Sequence, residues 1–316
     1  MIIFLGWPLQ GFSVYLRLLF KTRLIGIPAT LSASVAGSFS LGNPLGHTDP
    51  LTLFILYLGV FMAHLSVDSF DDYFDFKKDL ARLKAGASDA DLELLTILSR
   101  DSISARPLLA VGVSTMALGL LAGVYLSTLR GPLVLVLALL GSLVILVYTG
   151  LLNRHGYLAE SLLVLKGLLV FMGSQLVAYG SIYTATIPIG ALFGLVSAAV
   201  AYTHHITHMP VDRSLGRITL PILFERVGGP YIGYISIFAM IYAVLISLVL
   251  VGVLPVFSLA VLPAALIHMD IARRAWGRGY EVFSGYVIRT AIGCRIVDVG
   301  LASILAVTGL LNIGYT

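Results

Sequence analysis

The sequence predicts an all-α integral membrane protein: nine transmembrane helices bundled around a central, lipid-accessible cavity, with cytoplasmic cap loops. Three observations predict it. Hydrophobic residues make up 58% of the 316 residues and charged residues 11%, against about 45–50% and about 25% in ordinary soluble domains. The mean hydropathy is +0.98, and a soluble fold of about 300 residues, which still exposes roughly a quarter of its unfolded surface, has nowhere to hide so much apolar area. The apolar residues also form long unbroken runs rather than the segments of about 10 alternating residues of a β-barrel. Soluble enzymes, nucleic-acid-binding domains and disordered chains are excluded. The one cysteine, Cys294, excludes an internal disulfide framework and a multi-cysteine metal site.

A spanning helix needs about 20 mostly apolar residues. Such runs lie near 24–46, 50–70, 107–129, 131–150, 158–182, 186–208, 230–252, 254–272 and 288–312. The first follows Arg17, Lys21 and Arg23 and is too long for the apolar region of a cleavable signal. Its Ser32, Ser34, Gly37 and Ser38 let a neighbouring helix approach closely in lipid. The second ends in an acidic stretch. Gly131-Pro132 separates the third and fourth, and Pro188, Gly229-Pro230 and Pro255 precede later ones. Together the spans read as one membrane domain, 1–316.

With nine spans, alternate loops share a face. Every Lys and Arg except Arg130 and Lys166 then falls on one side, which the positive-inside rule makes cytoplasmic together with the N-terminus. Asp and Glu do not obey that rule, yet all except Asp49 also fall on that side or at a span end facing it. A channel or transporter carries polar groups along a path across the bilayer. Here the charged chemistry is confined to one face, as for a one-sided active site over a lipid-facing cavity.

The second span runs into Asp68, Asp71, Asp72, Asp75 and Asp79. If the helix continues, Asp71, Asp75 and Asp79 recur at i, i+4 and i+8 on one face, with Asp68 beside them, and repel one another. Mg²⁺ is the economical compensation, since it takes one or two carboxylates with phosphate oxygens and waters; the alternative is a solvated acidic end balanced by Lys77 and Lys78. The sixth span closes on His204, His205, His208, Pro210, Asp212 and Arg217. His204, His208 and Asp212 share the same spacing, suited to a transition metal, to hydrogen-bonding phosphate or to plain interfacial packing. Lys166, about six residues into the fifth span after Glu160, either snorkels or points into the cavity. Tyr148, Tyr157, Tyr179 and Tyr202 are candidate cavity or interfacial aromatics.

These two clusters, ending the second and sixth spans, resemble those of the UbiA superfamily of intramembrane prenyltransferases, and within it the MenA-like branch. The run Asp71-Asp72-Tyr73-Phe74-Asp75-Phe76-Lys77-Lys78-Asp79 matches the family's N-x-x-x-D-x-x-x-D motif, with Asp71 where the family has Asn. His208 through Asp212, followed by Gly216-Arg217-Ile218-Thr219-Leu220, matches its D-x-x-x-D and G-K-x-T-L, with His208 for the first Asp and Arg217 for the Lys. Arg23 to Ala29, Ile103-Ser104, and Tyr148-Thr149 with Arg154 are weaker matches. The loop from Ala81 to Asp101 lacks the Asn-Pro and Arg-Pro of many relatives.

The resemblance implies a polyprenyl diphosphate donor held through Mg²⁺, with Mn²⁺ as the alternative, and transfer in the membrane to an aromatic (naphthoate-type) or other lipophilic acceptor. It implies Asp71, Asp75, Asp79, His208 and Asp212 as metal ligands, with Asp72 beside the chemistry; Lys166, which none of these motifs covers, is a further catalytic candidate if it points into the cavity and pairs with diphosphate or an acidic acceptor. It implies Lys78, Arg82, Arg100, Arg154, Arg217 and Arg23 as diphosphate contacts, and leaves Asp68, His204 and Tyr148 as further site candidates. Related readings are transfer to a glycerol-phosphate ether-lipid precursor and cyclisation of the prenyl chain. The rival of another class is a non-catalytic or cation-transporting membrane protein. His208 is a poorer ligand than carboxylate for hard Mg²⁺: Asp71 restores its charge, the site prefers another metal, or a second metal site is lost.

Overall fold

The computed structural model describes residues 26–84, 106–151, 156–214, 216–276, 278 and 280–313. Ten α-helices carry them: α1 Ile27–Phe39, α2 Pro50–Lys84, α3 Arg106–Arg130, α4 Leu133–Leu146, α5 Ala159–Tyr179, α6 Ile187–Ser214, the short α7 Leu220–Glu225, α8 Pro230–Leu250, α9 Ala264–Ala275 and α10 Val287–Leu310. Seven helical stretches are long and apolar enough to cross a membrane, and two apolar ones, Ile27–Phe39 and Leu133–Thr149, are shorter. These nine follow the order of the nine apolar runs.

Two runs differ in detail from the sequence expectation. The first ends as helix at Phe39, because Gly42 takes φ +122° and Asn43-Pro44 opens a separate 3₁₀ turn whose Leu45 amide bonds the Asn43 side chain. The eighth divides into a 3₁₀ stretch, Val256–Val261, and α9, with Pro263 at the break, since proline lacks the amide to continue the ladder.

The bundle closes on itself. Each spanning helix packs on its successor, α8 packs on α6, and α10 returns to α1. The thin α1 lies against α2, α5, α6 and α10, because its buried face is Ala29, Ala33, Ala36 and Gly37 with Ser32, Ser34 and Ser38. Ser34 and Ser174 hydroxyls pair at 2.7 Å, and a Cβ on Gly37 would strike the Phe171 carbonyl. Small residues serve likewise between α2 and α3, where a Cβ on Gly59 would lie 2.8 Å from Ala122 Cβ, and between α5 and α6, where Gly167 and Gly194 bring two backbones together. Inside α1–α5 this leaves a chamber of about 900 Å³, open mouth included. Its lining is mostly apolar, with Thr30, His64, Ser142, Lys166 and Ser174 as the polar exceptions.

Candidate active site

The acidic stretch stays helical. The membrane-crossing part of α2 ends near Phe74, and the helix continues to Lys84. Asp68, Asp71, Asp72, Asp75 and Asp79 therefore ride one uninterrupted helix out of the bundle. Asp72 is buried and Asp71 half-buried. The side chains of Asp75, Lys78, Asp79 and Arg82 lie outside the described residues, as do Arg23, Arg100 and Arg154 entirely. Lys77 sets its ammonium 4.7 Å from the Tyr73 ring centroid. Tyr148 sits in a π-turn, Val147–Leu151, and packs on the Val67–Phe70–Ile145 cluster beside the acidic end.

The end of α6 reaches the same face, since α2 and α6 both start from the opposite side. Asp212 is 3% exposed. Gly216, at φ +66°, turns the chain so that the Arg217 amide bonds the Asp212 carbonyl at 2.8 Å and its guanidinium donates to Asp212 Oδ1 at 3.4 Å. Gly156 gives the guanidinium room: a Cβ there would lie 3.1 Å from Arg217 Nε and 2.8 Å from Thr219 Cγ2. Burial raises the Asp212 carboxyl above its ordinary range, opposed by Arg217, His205 and His208. Its Oδ2 is buried without a hydrogen-bond partner among the described residues. Arg213, one residue on, pairs with Glu225 of α7.

The three histidines separate. His204 is exposed and His208 half-buried, with ring centroids 4.3 Å apart. His205 is buried and bonds Glu160 of α5 at 2.9 Å, joining the two helices near the site. Tyr179 donates to the Gly42 carbonyl and Tyr202 to the Pro230 carbonyl; both tie helix ends and neither lines the chamber. Among the described residues no three of His, Cys, Asp and Glu gather closely enough to hold a metal, the side chains of Asp75 and Asp79 being outside that set.

Three further groups carry no motif. Thr30 Oγ1 bonds His64 Nδ1 at 2.8 Å, and His64 Nε2 lies 3.6 Å from Asp68 Oδ2. His64 precedes Asp68 by one helical turn, so the i, i+4 spacing read inward from Asp68 finds it. The Glu160–His205 pair leaves no such trace. Arg295 and Asp298, an ion pair at 2.8 Å, sit well inside α10, with Asp298 fully buried. The sequence places them near the basic face; the helix begins at Val287 and carries them inward.

The described residues form an all-helical bundle with seven stretches able to cross a membrane, an apolar chamber within α1–α5, and a buried carboxylate beside a guanidinium at the end of α6. The chain belongs to the UbiA prenyltransferase family, whose sequence profile matches residues 30–281, and it is a prenyltransferase. Solved structures share the fold. The apo UbiA homologue of Aeropyrum pernix K1 aligns with TM-score 0.69 at 18% identity, over 92% of this chain and 100% of its own. The Archaeoglobus fulgidus homologue bound to DMAPP and Mg²⁺ aligns with TM-score 0.61 at 16% identity, over 92% and 100%. A digeranylgeranylglyceryl phosphate synthase aligns with TM-score 0.62 at 14% identity, over 94% and 99%. No curated protein sequence matches the chain.

Proposed function

We propose that the protein transfers a polyprenyl group from an isoprenoid diphosphate to an acceptor in the membrane, with a divalent cation. The observation that carries this reading is Asp212: a buried carboxylate with an unpartnered oxygen, beside Arg217, on the face where the acidic end of α2 emerges. The oxygen donors suit a hard cation such as Mg²⁺, and the Archaeoglobus fulgidus homologue was solved with DMAPP and Mg²⁺. Asp71, Asp75, Asp79 and Asp212 are the proposed ligands; His208 is the weaker one, and Mn²⁺ tolerates its nitrogen better. The cation supplies neutralisation of the diphosphate charge that develops as the allylic C–O bond breaks.

This chain's own groups do the rest. Arg217 turns from Asp212 to the diphosphate, with Lys78, Arg82, Arg100, Arg154 and Arg23 as its proposed companions. Asp72 steadies the acidic end from its buried position. The apolar chamber receives the prenyl tail and keeps water from the allylic carbon. The acceptor nucleophile bonds that carbon, diphosphate leaves, and the acceptor loses a proton. We assign the acceptor as a naphthoate-type quinone precursor on the MenA-like motif; the likeness to a digeranylgeranylglyceryl phosphate synthase favours a glycerol-phosphate lipid as the second reading. The basic face, with this site and the N-terminus, is assigned to the cytoplasm.

The test is diphosphate release by protein in lipid, supplied with farnesyl or geranylgeranyl diphosphate, Mg²⁺ or Mn²⁺ and each acceptor class. Release that needs an acceptor and disappears in Asp75→Asn is expected. Release without acceptor points to cyclisation or hydrolysis. Absence of release with every donor, metal and acceptor, from folded protein, overturns the transferase reading.

A further inference from the structure

Prenyl transfer releases a proton from the acceptor, while Asp212 and Arg217 are committed to the cation and the diphosphate. Beside them lies a buried pair that this chemistry leaves idle. Glu160, in the first turn of α5, bonds Nδ1 of His205 through Oε1 at 2.9 Å. The two side chains are only 6% and 10% exposed. Glu160 Oε2 is buried without a hydrogen-bond partner among the described residues. A buried carboxylate that receives one hydrogen bond from a neutral ring is poorly compensated. An imidazolium opposite it completes an ion pair, so the pair is one proton short of balance. An ionised carboxylate only accepts, so Nδ1 carries the hydrogen and Nε2 keeps its lone pair. Among the described residues Nδ1 is the only atom of the His205 ring in a hydrogen bond.

The pair sits just inside the anion site. The Tyr157 amide bonds the Ile218 carbonyl at 2.9 Å, and Gly156 makes room for the Arg217 guanidinium. The start of α5 is thus seated on the turn that carries Arg217. Glu160 follows Gly156 by four residues, about 6–8 Å at helical rise. His205 shares a face of α6 with Asp212, two turns further out, and its charge acts on the Asp212 carboxyl. A nucleophile approaches the allylic carbon from the side away from the departing diphosphate. The group that takes its proton therefore belongs further in than the phosphates, next to a nucleophile held about 3–3.5 Å from that carbon. The depth of His205 meets this. The nearby Tyr202 does not serve, because its hydroxyl is held by the Pro230 carbonyl at 2.8 Å.

We propose that the Glu160–His205 pair is the proton acceptor of the reaction: His205 Nε2 takes the hydroxyl proton of the acceptor, and Glu160 orients the ring and faces the imidazolium that forms. The freed electron pair makes the acceptor nucleophilic, its bond to the allylic carbon forms, and the allylic C–O bond breaks with its electrons leaving on the diphosphate. The imidazolium then returns its proton to water at the charged face. The acceptor class is a molecule with a hydroxyl group, a phenol or an alcohol. The proposal rests on the transferase reading for its reaction. Glu160 is a positioning residue, and His205 the one that touches substrate.

The experiment has two arms, both on protein in lipid nanodiscs. In turnover, acceptors of graded hydroxyl acidity are compared. His205→Gln, which keeps a hydrogen bond to Glu160, is expected to lower kcat about 100-fold and leave donor KM unchanged. Glu160→Gln is expected to lower kcat by a smaller factor. Both losses are expected to shrink as the acceptor hydroxyl becomes more acidic. A loss that is equal for every acceptor, or a rise in donor KM in place of the fall in kcat, overturns the proposal and leaves the pair a structural tie. In the second arm a fluorinated naphthol is added without donor. Its naphtholate absorption band is expected on binding to wild type and not to His205→Gln. The same band with both proteins overturns the proposal, and absence of the band with wild type overturns it without any variant. Inactivity of wild type with every donor sinks the transferase reading alone, because the naphtholate band is read without donor.

Discussion

At the residue scale, Arg217 donates to one oxygen of the buried Asp212 carboxylate. Burial raises the Asp212 carboxyl, so the metal-free protein loses stability as pH rises from the ordinary carboxylate value through the raised one: the folded state holds its proton longer than the unfolded chain. Thermal unfolding at pH 4 and pH 7 is expected to show this loss, Asp212→Asn to abolish it, and added Mg²⁺ to reverse it. Arg217→Met leaves the carboxylate buried and unpaired, for a loss of about 2 kcal/mol without metal. The same variant is expected to raise KM for the prenyl diphosphate. Differential scanning fluorimetry and donor titration separate the two effects. His205 tests a different contact: His205→Phe breaks the bond to Glu160 and is expected to lower thermal stability more than it changes donor KM.

At the element scale, glycine decides how closely helices approach. A Cβ on Gly167 would lie 2.5 Å from Gly194 Cα, so Gly167→Val forces α5 from α6 at a cost of about 1–3 kcal/mol. Gly285→Ala, where a Cβ meets nothing within 4 Å, is expected to be neutral in the same unfolding assay. Asp49 caps α2 through the Thr52 amide at 3.0 Å and hydroxyl at 2.6 Å, which holds its carboxyl below the ordinary range. That stability is present above the ordinary carboxylate value and is lost as pH falls through the lowered one, so acid frays the start of α2.

At the scale of the whole molecule, the chain sorts its charge to one face. Arg130, an exception with Asp49, donates to the His47 carbonyl at 2.6 Å and ties the end of α3 to the loop after α1 on the opposite face. Cys294 is fully buried, so thiol labelling reports only an introduced cysteine. In sealed vesicles or whole cells, Gly46→Cys is expected to react from the outside and Arg226→Cys only after permeabilisation. The reverse pattern overturns the assigned orientation.

Hydropathy and charge by themselves determined the class, the nine apolar segments, the charged face, the acidic end of the second segment and the His/Asp end of the sixth. These are legible because lipid forces each segment to satisfy its own backbone, which leaves length and apolarity as a linear signal. The spacing marked Asp71 through Asp79, since carboxylates four residues apart on one helix need a counter-charge wherever the helix lies, and Asp212 was marked by its place in the second motif. Tertiary structure alone decided what cannot be read along one helix. It turned Lys166 into the chamber and not toward the interface, brought His64 to Thr30 and Glu160 to His205, and drew Arg295 with Asp298 inside α10. Each of these depends on which helices meet and at what depth, and small residues in α1, α5 and α6 set that through close packing that hydropathy does not register.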